Sequence, residues 1–182
     1  GVFASIDAGL GVRLEVAHEL GVRSIHLHTP HAASRTPQRA AEFNKRLDDL
    51  GIKISVVFAG FEGESYADIP TVVSSVGLMP KETRAARTAE LKAIGDFARV
   101  LGVDIVGVHL GFVPHETNDP EYGTMIGLTR DVCVHLKRNG QALHLETGQE
   151  PVDVLLRFLN DCGLDNLFVN FDPANMILYG AG

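Results

Sequence analysis

The sequence lacks several features that would have fixed its class at once. Lysine and arginine number 16 against 23 aspartates and glutamates, for a net charge of -7. That balance gives no broad attraction to nucleic acid or to an anionic membrane. No apolar run approaches the ~20 residues of a membrane span, and no charged-then-apolar leader opens the chain. Cysteine is nearly absent. Cys133 and Cys162 are the two present, both inside helical stretches and without a C-x-x-C. They read as buried free thiols of a protein held in a reducing compartment, the cytoplasm. Common catalytic signatures are missing too: no G-x-S-x-G elbow, no P-loop and no H-E-x-x-H. No G-x-G-x-x-G follows the first β-rich stretch, which counts against a dinucleotide-binding sheet.

What the sequence does have is one phrase repeated. A helical pattern ends on Gly, and a β-rich run follows almost immediately. Glu19-Leu20-Gly21 leads into Ser24-Ile25-His26-Leu27-His28, and Asp49-Leu50-Gly51 into Ile52-Lys53-Ile54-Ser55-Val56-Val57-Phe58. Gly102, Gly140 and Gly163 introduce three further runs in the same way. Glycine tolerates the left-handed conformation just past a helix end. Runs such as Val103-Asp104-Ile105-Val106-Gly107-Val108 are apolar beyond simple alternation, as parallel strands covered by helices should be. Within 89–101, Leu91, Ile94, Phe97, Ala98 and Leu101 share one helical face.

The pattern predicts strands near 2–6, 23–28, 52–58, 103–109, 141–146 and 167–172. It predicts helices near 11–20, 36–50, 81–101, 124–138 and 151–162. Repeated βα units allow a doubly wound open sheet or a (β/α)8 TIM barrel. Carboxylates and histidines at successive strand exits favour the barrel, whose sites lie at the C-terminal ends of its strands. A full barrel takes about 250 residues. On this reading 1–182 is a single barrel domain truncated at the C-terminus, supplying about six βα units. A six-stranded open sheet is the alternative. Further residues or another chain, as in a homo-oligomer, would be needed to cover the two sheet edges. The stretch 59–80, rich in Gly and Pro, is longer than a βα connection needs, so it reads as a structureless lid or substrate-side wall, or as a surface insertion.

Glu146 and Asp172 end two consecutive strands, each just before Gly or Pro. Paired acids at neighbouring strand exits suit a divalent cation; the simpler role for each is to cap the next helix. His109 ends the fourth strand, where an imidazole faces the mouth of a barrel and can contact substrate or a metal, or serve as a hydrogen-bonded structural residue. His26 and His28 share one side of the second strand, with His28 nearer the exit and the better substrate contact; His31 reads as solvated. Asn175, three residues past Asp172, can hydrogen-bond a sugar hydroxyl or metal-bound water, or simply form the turn. One of Gln149 and Glu150 is expected to cap or charge the following helix N-terminus. Arg84 and Arg87 read as a solvated helix face, with an anionic substrate as the less favoured alternative.

Leu145-Glu146-Thr147-Gly148-Gln149-Glu150, Phe171-Asp172-Pro173-Ala174-Asn175 and Val108-His109-Leu110-Gly111 together resemble the xylose-isomerase-like TIM-barrel superfamily. That superfamily holds sugar isomerases and epimerases and the endonuclease IV type of DNA repair enzyme. The resemblance implies that Glu146 is both metal ligand and acid/base and that Asp172 is a ligand. A His of the seventh strand and a Glu of the eighth would complete the site, and neither has a counterpart in 1–182. Asn175 stands where many relatives carry His. The implied activity is a metal-dependent isomerisation or epimerisation of a small sugar or hydroxy-carbonyl compound, by proton transfer through a metal-stabilised enediolate. Mn2+ is the expected metal, ahead of Mg2+, Co2+ or Zn2+. An endonuclease IV-like phosphodiester hydrolase is the runner-up, disfavoured by the acidic balance and by Asn175, and a non-catalytic ligand-binding barrel is a third reading. The expected partner is a small sugar, with neither nucleic acid nor membrane.

Overall fold

Helices hand the chain to strands through glycines, as the repeated phrase requires. The helices Pro37–Leu50 and Val152–Cys162 both end on a left-handed glycine, Gly51 at φ +65° and Gly163 at φ +61°. A side chain there would meet its own backbone, a cost that glycine avoids. The strand begins within a few residues. The computed structural model describes residues 2–6 and 11–180.

Six parallel strands stand side by side in chain order: β1 (Val2–Ser5), β2 (Ser24–His28), β3 (Lys53–Ala59), β4 (Ile105–Val108), β5 (Ala142–Glu146) and β6 (Leu167–Asn170). The helices between and after them are α1 (Leu14–Glu19), α2 (Pro37–Leu50), α3 (Ile69–Ser75), α4 (Arg84–Val100), α5 (Pro120–Arg138), α6 (Val152–Cys162) and α7 (Pro173–Leu178). Sequential parallel order with a helix at each crossover is the arrangement of a TIM-barrel wall rather than of a doubly wound sheet, whose order reverses. No helix among the described residues is long and apolar enough to cross a membrane.

The two faces of the sheet differ in chemistry. On the helix-covered face Ile25, Leu27, Val57, Val106, Leu143 and Leu145 are buried against Leu91, Ile94, Met125, Leu136 and Phe158. Each such side chain withdrawn from water contributes about 1.5–3 kcal/mol, so this layer carries the fold. Cys133 and Cys162 lie in the same layer, unpaired and buried. The inner face alternates with it and bears rings. Phe3 stacks edge-on against His26 and Phe58, with centroids 5.4 Å apart in each case. Gly107 is paired with Phe58 across β3 and β4, and a Cβ on it would stand 2.6 Å from the Phe58 ring. Glycine inside β4 therefore makes room for that ring.

Three expectations change. Helix α5 starts at Pro120, not near 124. Asp119 caps it by accepting the Glu121 N–H at 2.8 Å, and proline is well suited to the first helical turn. Helix α1 starts at Leu14 because Val12 is still bridged to Ala4. The stretch 59–80 is not structureless. It contains α3, capped by Asp68, which accepts the Thr71 N–H at 2.8 Å.

Candidate active site

Strand exits bring the candidate residues to one end of the sheet. His28 ends β2, His109 follows β4, Glu146 ends β5, and Asp172 and Asn175 stand at the start of α7. All five line one cleft of about 500 Å3. The register explains part of this convergence: Glu146 is paired with Asn170, so Asn170 lies directly across from it. Asn170 Nδ2 donates to Glu146 Oε2, and Asn175 Nδ2 donates to Glu146 Oε1 at 3.3 Å. The amide of Asn175 thus serves the carboxylate. Helix α7 comes this close because residue 148 is glycine: at φ +139°, a Cβ there would lie 2.5 Å from Asn175 Cβ.

Glu146 is 8% exposed. Burial pushes its carboxyl up to about 7, the neighbouring Asp172 carboxylate adds to the rise, and the Asn170 amide opposes it. Asp172 is tied down on two sides. Its Oδ1 accepts the N–H groups of Ala174 and Asn175 at 2.8 and 3.1 Å, and its own N–H donates to Thr147 Oγ1 at 2.7 Å. The helix-capping role is therefore real for Asp172. It is absent for Glu146, whose following helix α6 has no side-chain cap.

Among the described residues no lysine or arginine forms an ion pair with either acid, and no third His, Cys, Asp or Glu joins them in a group that could hold a metal. Two adjoining carboxylates, one of them raised by burial and further by its neighbour, are a donor set that a divalent cation would relieve. The residues fit such an ion as two of its ligands.

His109 is 4% exposed. Burial lowers its imidazole to about 4, so the ring is neutral at physiological pH. Gln149 reaches its Nε2 through the side-chain amide, which leaves the ring proton on Nδ1; that atom is buried and has no partner among the described residues. The rings of Tyr66 and Tyr179 approach it edge-on at 5.8 and 6.4 Å. Gln149 and Glu150 do not cap or charge the next helix. Both are 5% exposed, and Glu150 accepts the Val113 N–H at 2.8 Å, pinning the β4 exit loop to the β5 exit loop.

The two arginines also depart from the solvated expectation. Arg87 is 5% exposed. Its guanidinium donates to the carbonyls of Ser75, Gly77 and Glu62 at 2.7, 2.8 and 3.1 Å. Arg84 donates to the carbonyls of Leu78 and Met79 and pairs with Glu121. They hold the 59–80 stretch in place from behind, because a loop's buried carbonyls need donors that its own backbone does not supply. Glu64 does the complementary work, accepting the N–H groups of Phe61 and Gly77 at 3.0 and 2.8 Å. The stretch so fixed presents Tyr66 and Glu64 to the cleft. Neither was singled out in the sequence, where nothing in the local pattern distinguishes them. His31 is exposed, and it lines an adjoining cleft.

The sheet order and this grouping at the strand exits agree with what comparison finds. The xylose isomerase-like TIM barrel family model matches residues 14–182. The chain belongs to that family. A xylose isomerase domain protein from Planctomyces limnophilus is similar in structure with a TM-score of 0.95 and 53% identity, over 99% of this chain and 65% of that one. The chain thus spans under two thirds of that relative's length. A D-psicose 3-epimerase, solved in the presence of D-fructose, shares the fold at TM-score 0.69 and 18% identity, over 98% of this chain and 63% of that one. A family protein from Mycobacterium smegmatis in complex with magnesium does so at TM-score 0.62 and 21% identity, over 88% and 54%. Comparison with curated proteins finds no match.

Proposed function

We propose that the protein isomerises or epimerises a small sugar or related hydroxy-carbonyl compound by moving a proton at the carbon beside the carbonyl. The observation that carries this reading is Glu146, a carboxyl raised to about 7 at the strand-exit end of a sugar-sized cleft. A general acid/base works best with a pKa near the working pH, where both forms are populated and either transfer is affordable. Epimerase neighbours in the fold support the reading at the level of reaction class.

Glu146 and Asp172 would hold a divalent cation, in keeping with a magnesium-bound neighbour of the same fold. When bound, such an ion polarises the carbonyl and an adjoining hydroxyl. The chain's own residues do the rest. Glu146 takes the proton at carbon and returns it. Asn170 and Asn175 hold its carboxylate in one orientation, which shortens the search for the reactive geometry. Neutral His109 and His28 both line the cleft and would contact the substrate there.

The test is deuterium incorporation from D2O into a panel of ketoses, followed by NMR, with Mn2+, with Mg2+ and after chelation. Glu146→Gln should lower exchange by about 100-fold or more, since glutamine cannot accept the proton. Exchange within tenfold of the parent would sink the acid/base role. Metal-dependent cleavage of abasic DNA without ketose exchange would favour the hydrolase instead.

A further inference from the structure

The cleft at Glu146 does not end at Tyr66. A second cleft of about 630 Å3 opens between the exits of β2 and β3, and His28, Gly60, Glu64 and Tyr66 line both. Each volume alone lies in the range of a small-molecule pocket, roughly 300–1,000 Å3. The junction is kept open by an absent side chain. A Cβ on Gly60 would stand 2.8 Å from His28 Nε2. Gly60 is not among the glycines with positive φ, so its conformation does not demand glycine. What demands it is space beside His28, at the point where the two clefts meet.

The outer cleft's charges state what would fit there. Glu62, Glu64 and Glu90 line it, with Arg35. Arg35 is already engaged, by the Pro30 carbonyl and by Glu90, both at 2.8 Å. A phosphate would face Glu62 and Glu64 beside an Arg35–Glu90 pair whose charges offset each other. A neutral, hydroxyl-rich group would instead find carboxylate acceptors and the half-exposed Tyr66 ring, whose apolar body and polar tip suit the two aspects of a sugar.

We propose that the outer cleft is a second sugar subsite, and that the substrate is a neutral disaccharide or similar glycoside of a ketose, with the carbonyl-bearing unit at Glu146 and the second ring passing over Gly60. The orientation rests on the function proposed above; the subsite itself does not.

Calorimetry with the unreactive alditols sorbitol, sorbitol 6-phosphate and maltitol separates the cases. Maltitol should bind about tenfold tighter than sorbitol or more, and sorbitol 6-phosphate no tighter than sorbitol. Gly60→Val, which closes the junction, should remove most of the maltitol advantage. Ala32→Tyr should do the same from the exposed rim of the outer cleft, where folding is not at risk. Equal affinity for sorbitol and maltitol, no measurable maltitol binding at about 10 mM, preference for the phosphate, or an advantage intact in both variants would each overturn the subsite. Deuterium exchange into fructose and maltulose reads the chemistry separately. A maltitol advantage without exchange into either would keep the subsite and refute the isomerase reading. Exchange into fructose without a maltitol advantage would do the reverse.

Discussion

Replacing Glu150 with glutamine should stabilise the protein at pH 8 by about 2–3 kcal/mol more than it does at pH 5. Glu150 is 5% exposed, and burial raises its carboxyl from 4.5 to about 7, the Val113 N–H opposing the rise. An acid raised on folding keeps its proton in the folded protein while the unfolded chain has already lost it. Between pH 4.5 and about 7 the folded state therefore binds more protons, and stability falls as pH rises through that window. Below the window the cost is absent. Above it the cost is complete, about 3 kcal/mol at ~1.4 kcal/mol for each tenfold change in proton affinity. Glutamine has nearly the same shape and retains an oxygen for the Val113 N–H, but it carries no charge to desolvate at any pH. For a domain of this size the differential corresponds to roughly 5–10 °C in unfolding midpoint. Urea unfolding of parent and variant across pH 5–8 measures it. Parallel pH profiles would refute the reasoning, since they would mean that Glu150 titrates as a solvated carboxyl and that the link between the β4 and β5 exits is open to water.

Two further outcomes concern the stretch that walls the cleft. Arg87→Met keeps the buried stem but removes the donors to the Ser75, Gly77 and Glu62 carbonyls, and should cost about 3–5 kcal/mol with faster proteolysis inside 60–77; an unchanged cleavage rate would mean the stretch holds itself. Gly77→Ala should cost at least about 2–3 kcal/mol by chemical denaturation, because φ is +72° and the new carbon would lie 2.1 Å from the Leu110 carbonyl oxygen; a loss under about 1 kcal/mol would show that the β4 exit loop yields freely.

The sheet was legible because its signals are local and repeated. A glycine that only a helix end requires, followed by a run too apolar for an exposed strand, recurs five times, and β2 to β6 fall where that phrase puts them. The start of α5 was obscured because Pro120 and Gly123 look like breakers when read singly, although a proline after a capping Asp begins helices well. Helix α3 was obscured by the Gly and Pro residues around it. The buried arginines were unreadable for another reason. Arg84 and Arg87 lie on the first turn of a helix whose neighbours are polar, and what buries them is a loop closing over that turn from 59–80, a contact that no periodicity encodes. Gln149 and Glu150 failed likewise: their position before α6 suggests a cap, but their partners, His109 and Val113, come from the preceding βα unit.

Asp172 shows why capping and ligation need not compete at such a site. The cap uses Oδ1, which accepts both N–H groups at the start of α7. That pair of bonds fixes the plane of the carboxylate and leaves Oδ2 without a bond to the helix. The Asp172 carboxyl group stands beside Glu146, whose proton affinity is raised chiefly by burial and further by Asp172. The cap thereby supplies what the proposed ligand role requires: an oriented oxygen next to a second carboxylate. It also imposes an asymmetry between the two acids. Asp172 is held stationary by backbone, while Glu146, held by two side-chain amides and balanced near neutrality, is the acid to which the proposed function assigns the proton transfer.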